Sequence, residues 1–345
     1  MPAPAPRRRA VSLVLLLSCG LLLPACRPAA KKEVVVYTAL DQEFSEDHFH
    51  AFRELTGVAA VPKFDTEANK TVGLTEAILA EKDRPRCDVF WNNEILNTLR
   101  LQKADLLAAY HPQHEDEYPA AFRSADGFWF GFAARARILL VNTNLLAEGE
   151  RPGSVFDLAD EKWKDKGGYA KPLFGTTATH AAVLFEELGD EKAKDFFTKL
   201  QTNAKMFPGN KQVAQAVSSG EIAFGLTDTD DAVVEIQSGR PVAIVYPDQG
   251  EGQLGTLFIP NTLAIIKGGP NPEAAKKLVD YLLSAEVETA LARGPSAQIP
   301  LNTTLDIPLQ VESPKTIKPM EVDWEAAVDQ WDSAAEFLRE KILTN

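Results

Sequence analysis

Short runs of β-branched and aromatic residues alternate along this chain with longer stretches whose apolar positions recur at helical spacing. Val34-Val35-Val36-Tyr37 shows no polar alternation, as expected of a strand covered on both faces. Thr38 to Ser45 reads as a turn, and a helix is expected from about Glu46 to Leu55, stopped by Gly57. A strand around Val58 to Phe64, a helix from about Thr71 to Glu81 and a third strand at Asp88-Val89-Phe90-Trp91 follow. This alternation predicts an α/β fold with a doubly wound sheet and right-handed crossovers. Ligands of such sheets sit beyond the carboxyl ends of the strands, which selects the loops Thr38 to Glu43, Asp65 to Lys70 and Asn92-Asn93-Glu94.

The apolar stretch from Phe128 to Asn142 is interrupted by Ala133-Ala134-Arg135-Ala136-Arg137. An extended segment of that length fits a crossover between two lobes better than one strand of one sheet. Gly255 to Ile266 reads as the return crossover. The expected division is 34–134 plus 262–305 for the first lobe and 135–261 plus 306–345 for the second. Helices are expected from about Ala178 to Leu188, Glu191 to Gln201, Pro272 to Leu283 and Ala285 to Arg293. Trp324, Val328, Trp331, Leu338 and Ile342 mark the buried face of a C-terminal helix.

The N-terminus departs from this rhythm. Arg7, Arg8 and Arg9 precede an apolar run from Ala10 to Pro24, as in a signal peptide and too short for the roughly 20 residues that span a bilayer. Leu23-Pro24-Ala25-Cys26 resembles a bacterial lipobox, with Pro24 unusual at its place. The expectation is a signal peptide over 1–25, lipid on Cys26 and a tether over 26–33; the alternative is ordinary cleavage near Ala25 with Cys26 incidental. An exported, membrane-anchored protein facing the periplasm or cell exterior follows. Of three cysteines, only Cys87 is then left as a thiol, so no intrachain disulfide is expected. A net charge of −13 argues against a nucleic-acid partner, whose phosphates call for clustered Lys and Arg. The sequence has no Gly-x-Ser-x-Gly elbow, HExxH, P-loop or dinucleotide glycine fingerprint to support an exported enzyme.

Several segments together resemble the family 1 extracellular solute-binding proteins, and within them the branch associated with ferric-ion uptake. They are Val35-Val36-Tyr37, Asp88-Val89-Phe90-Trp91, Arg135-Ala136-Arg137, Asp157-Leu158 with Trp163-Lys164-Asp165-Lys166-Gly167-Gly168, and Val213 to Gly225 around Gly220-Glu221-Ile222-Ala223. The resemblance implies a two-lobed "Venus flytrap" of the type II periplasmic-binding-protein fold. It further implies a monomer that delivers its ligand to an ABC permease and its ATPase, without catalysis or a catalytic cofactor.

Ferric-binding relatives hold the metal with two consecutive tyrosines, a histidine and a carboxylate. The matching positions here fall at Thr229 and Asp230, at Asp41 and at Asn93, with Glu94 adjacent. The phenolates are missing, yet the segment stays rich in oxygen, which hard cations favour. An iron or other hard metal ion with a co-bound anion is therefore expected, on Asp41, Glu94, Asp228 and Asp230. The alternative is an organophosphorus or polyamine-type solute. Asp228, Asp230 and Asp231 also suit a plain helix cap and first turn. Gly175-Thr176-Thr177 opens a helix with free N–H groups for an anion, with Arg135 or Arg137 as a fork-shaped partner. Trp91 reads equally as cleft wall or core, and Asn92 and Thr229 complete the expected set. Tyr246 is a further phenol near the return crossover, and His180 reads as packed more readily than as a ligand.

Overall fold

A computed structural model describes residues 1–3, 32–65 and 72–343. The fold below is that of the unit Lys32–Asn345. Most of the expected leader, Cys26 and most of the tether lie outside the described residues, as does most of the loop at 65–70.

The chain opens with β1 (Glu33–Thr38), α1 (Gln42–Thr56), β2 (Ala59–Phe64), α2 (Val72–Ala80), β3 (Val89–Asn92), α3 (Leu96–Lys103) and the short β4 (Leu107–Ala108). The long β5 (Phe130–Asn142) leads to β6 (Gly167–Ala170), α4 (Gly175–Leu188), α5 (Asp190–Asn203) and β7 (Ala204–Phe207). Then come α6 (Asn210–Ser218), β8 (Phe224–Asp228), α7 (Thr229–Gln237) and β9 (Val242–Val245). β10 (Phe258–Ile266), α8 (Pro272–Leu282), α9 (Ala285–Arg293) and α10 (Trp324–Phe337) complete the fold.

The strand order is β2-β1-β3-β10-β5-β8-β6-β7, with β4 on β10 and β9 on β5. β1 pairs in parallel with β2 and β3, and β6 in parallel with β7 and β8, so each half has a parallel α/β core to which β10 or β5 adds antiparallel. The halves meet at β5 and β10, which run antiparallel to each other and are buried at every position. These are the two crossover strands. β10 pairs with β3 at Thr262 to Ile265, whereas β5 pairs with β8 and β9 from Arg137 to Asn142. The change of partner brings a register shift between Ile259 and Asn261 and a left-handed Ala133, φ +43°.

Two helices begin earlier than the pattern suggests, and both starts bear on the site. α1 begins at Gln42, with Asp41 as its N-cap, because Gln42 and Glu46 already bond as a helical i,i+4 pair. α4 begins at Gly175, whose φ of +54° suits glycine, so Thr176 and Thr177 fall in the first turn. α10 divides its buried face between the two halves. Val328, Trp331 and Ala335 pack with Leu96 and Leu99, while Ala334 packs with Leu184 and Phe185.

Candidate functional site

Four helices begin around one cavity at the carboxyl ends of the strands. Asp41 lines it from the start of α1, Gly175, Thr176 and Thr177 from α4, Asn210 and Lys211 from α6, and Asp230 and Asp231 from α7. None of the four N-cap residues makes a side-chain cap bond. The first-turn N–H groups and the positive ends of the helix dipoles therefore collect at one place, the physical setting that attracts an anion. The close approach of α6 depends on Gly225 of β8, where a Cβ would overlap Val213 Cγ1.

Beneath the cavity lies a buried polar network. Arg137 of β5 sits opposite Asp228 of β8 in the sheet, and its Nη1 donates to Asp228 Oδ1 at 2.6 Å. Asp228 Oδ2 accepts from Thr176 Oγ1 at 2.5 Å and Asn210 Nδ2 at 2.9 Å. Arg137 also donates to Thr176, Thr177 and Asn210. One ion pair thus bolts together the starts of α4, α6 and α7. Both oxygens of Asp228 already accept from protein donors, so any ion there would share them with Arg137, Thr176 and Asn210. Arg137, fully buried and absent from the cavity wall, sits below the hydroxyls, so it supports the anion loop and does not form its fork.

Arg135, two residues earlier on the same face of β5, does reach the cavity. Its Nη1 lies 3.2 Å from Asp230 Oδ2, and its Nε and Nη2 are buried without a hydrogen-bond partner. Burial works against its charge, but Asp230, Asp228, Asp41 and Asp231 outweigh it and raise the pKa of the guanidinium further. Asn93, 2% exposed, presents a buried Oδ1 that also lacks a partner. Lys171 and Lys211 stand at the wall, so Asp41, Asp228, Asp230 and Asp231 face as many cationic groups in Arg135, Arg137, Lys171 and Lys211. Oxygens of Asp228, Asp230 and Asp231 lie within 4.8 Å of one another, the one cluster of metal-ligand type among the described residues. The cavity measures about 40 Å³, space for a small ion or a single phosphate-sized group in this conformation.

The remaining expected residues serve the scaffold. Glu94 is fully buried: Oε1 accepts from Asn92 Nδ2 and from Asn97 N and Nδ2, and Oε2 accepts from Thr179 Oγ1 at 2.7 Å. It caps α3 and joins it to α4, so its oxygens are not offered to a metal. Asn92 supports Glu94 and lies off the cavity. Trp91 is core, packed edge-on against Phe49 at 5.8 Å and against Phe132 at 5.5 Å, because the pleat turns it away from the strand end. Thr229 accepts from Ala136 N and ties α7 to the crossover strand. Tyr246 accepts from Glu312 N in a separate groove. His180 is buried, and burial, with Arg137 second, pushes its pKa well down, leaving a neutral packed ring. Asn210 and Lys211 were not anticipated, although Pro208-Gly209-Asn210 before an apolar-periodic run marks a helix start.

The description "Bacterial extracellular solute-binding protein" belongs to the family model that matches residues 96–329. The major ferric iron-binding protein of Neisseria meningitidis is 27% identical over 284 residues, covering 81% of this chain and 84% of its own. A putative 2-aminoethylphosphonate-binding periplasmic protein of Salmonella typhimurium is 25% identical over 260 residues, covering 73% and 72%. Among solved structures, iron-bound HitA from Pseudomonas aeruginosa superimposes with a TM-score of 0.81 at 23% identity, over 89% of this chain and 98% of its own. The periplasmic binding protein AfuA from Actinobacillus pleuropneumoniae gives 0.79 at 24%, over 91% and 99%. The two-lobed architecture, the paired crossover strands and the match over more than half the sequence agree: the chain belongs to the bacterial extracellular solute-binding protein family.

Proposed function

We propose that this chain is the capture subunit of an ABC importer, tethered outside the membrane through Cys26, and that its ligand is a small zwitterionic organophosphorus solute of the aminoalkylphosphonate kind. It hands the ligand to a permease driven by an ATPase. The observation that carries the reading is Arg135, whose two unpartnered buried N–H donors line a cavity where four helices begin. A phosphonate supplies the missing acceptors. The ammonium end suits Asn93 Oδ1 and the carboxylates of Asp41 and Asp231. Because Asp41 and Asn93 come from the half opposite Thr176 and Asp230, one ligand touches both halves and favours their closure. The relative described as binding 2-aminoethylphosphonate agrees with this choice.

A ferric or other hard metal ion with a co-bound anion is the second reading, favoured by the clustered oxygens of Asp228, Asp230 and Asp231 and by the iron-binding relatives. It ranks lower because Asp228 is saturated by protein donors and Arg135 pairs with Asp230. Thermal melts with 2-aminoethylphosphonate, inorganic phosphate, spermidine and ferric citrate separate the readings. Ligand at about 100 times its Kd adds about 2.7 kcal/mol, or about 5 °C in Tm. The largest shift is expected from 2-aminoethylphosphonate; a larger one from ferric citrate, with iron copurifying in native mass spectrometry, overturns the reading.

A further inference from the structure

Outside the cavity wall, Glu288 of α9 points its carboxylate at the crossover, two residues before Arg135. Its Oε1 accepts from the backbone N–H of Ala133 at 2.6 Å and of Leu301 at 3.1 Å, and its Oε2 accepts from Asn302 N at 2.7 Å. The residue is 1% exposed, and no cation pairs with it among the described residues. Ala133 is the left-handed position of β5, a conformation that a residue with a Cβ resists. Its carbonyl accepts from Asn261 Nδ2, at the register shift of β10, and Asn261 in turn donates to Gln298 Oε1. The next residue, Ala134, exchanges both backbone bonds with Ile299. Glu288 therefore holds the N–H of the strained residue of one crossover strand, Asn261 of the other strand holds that residue's carbonyl, and both sit where β5 and β10 change partner.

We propose that Glu288 is a proton-sensitive clamp on the interlobe hinge, a positioning residue that fixes Ala133 and so sets the balance between hinge conformations during ligand capture. The inference is independent of which ligand is bound. The three N–H donors favour the charged carboxylate, whereas burial without a counter-ion favours the neutral acid. Burial pushes its pKa up to about 7, against the lowering effect of the bonds from Ala133, Leu301 and Asn302. Whichever hinge geometry binds the proton more tightly gains as pH falls. The described geometry, with Glu288 dry, is favoured below about pH 7. Above that, charge without a counter-ion favours any geometry that lets water reach the carboxylate. The titratable groups facing it are few. Tyr118 lies beside it, its hydroxyl donating to Leu283 O, and Glu117 with His114 stands behind Asn302.

Small-angle scattering of the ligand-free mature chain, with hydrogen exchange of peptides covering 130–136 and 299–303, tests the clamp between pH 5.5 and 8.5. The wild type is expected to change its scattering profile and to lose protection in both segments as pH rises, with one midpoint near 7. Glu288→Gln, which cannot ionise, is expected to keep the low-pH profile throughout. The clamp is overturned if that variant shows the wild-type transition, or if the wild type shows none. Should Glu288→Gln fail to fold, Ala133→Gly replaces it: glycine adopts the left-handed backbone unaided, and its transition is expected to be at least halved. An undiminished transition in Ala133→Gly also overturns the proposal.

Discussion

Arg137 and Asp228 face each other across β5 and β8 at 2.6 Å, and this single pair aligns three helix starts, with Asp228 at the cavity wall and Arg137 behind it. Asp228→Asn leaves a fully buried guanidinium without its counter-charge, so a loss of roughly 3–5 kcal/mol is expected in urea melts. The double change Arg137→Met with Asp228→Leu should recover most of that stability, since apolar replacement of a buried pair is often neutral. It should not recover ligand binding, because Thr176, Thr177 and Asn210 lose their common anchor. Titration calorimetry with 2-aminoethylphosphonate checks the second part; an intact Kd would make the pair merely structural.

Arg135 bears on the ligand more directly. Arg135→Ala removes the unpartnered Nε and Nη2 and also takes Nη1 from Asp230, so it should weaken binding and lower stability together. A hydrogen bond to a charged group contributes about 1.5–3 kcal/mol, which predicts a Kd weakened by roughly ten- to a hundred-fold. Arg135→Lys keeps the charge but loses the fork, and should restore only part of it.

Gly225→Ala is expected to cost about 1–3 kcal/mol, since the added Cβ overlaps Val213 and must push α6 off the sheet. Asn210 moves with α6, so affinity should fall in the same variant. A Tm loss without any change in Kd would separate the two.

Glu288 also predicts a pH dependence of global stability. Its pKa is raised from 4.5 to about 7, so the folded chain binds its proton more tightly than the unfolded chain does. The contribution is complete below about pH 4.5 and is lost as pH rises through about 7. Its size is about 3 kcal/mol, at about 1.4 kcal/mol for each pKa unit. Calorimetric Tm of Glu288→Gln should therefore lack the part of the wild-type decline that falls in this window.

Cys26→Ser should move the protein from the membrane fraction to the soluble one while leaving 2-aminoethylphosphonate binding unchanged. Retention in the membrane would remove the anchor reading.

β1, β3 and both crossovers were legible as short or long apolar segments, and the loops at Gly175 and Asp228 because glycine, hydroxyl and acidic residues there open helices, whereas β4, β6, β7 and β9 are too short or too polar to stand out. What stayed hidden were distinctions between neighbours of similar chemistry. Arg135 and Arg137 share a face of β5, and only the pairing of Arg137 with Asp228 shows which one is covered. Asn93 and Glu94 adjoin, yet Glu94 turns inward to serve Asn97 and also Thr179, which comes from a helix 85 residues later. Trp91 looked equally suited to cleft and core until the pleat placed it against Phe49 and Phe132.

β5 and β10 remain hydrogen-bonded to each other on either side of the register shift. A ligand cycle run on such a joint works like a leaf spring, bending within a ladder that never comes apart. Each round of capture and release then leaves the crossover amides paired. At a fixed pH below about 7 their exchange should remain slow during turnover, so that loss of protection at 130–136 reports the proton on Glu288 and not the ligand cycle.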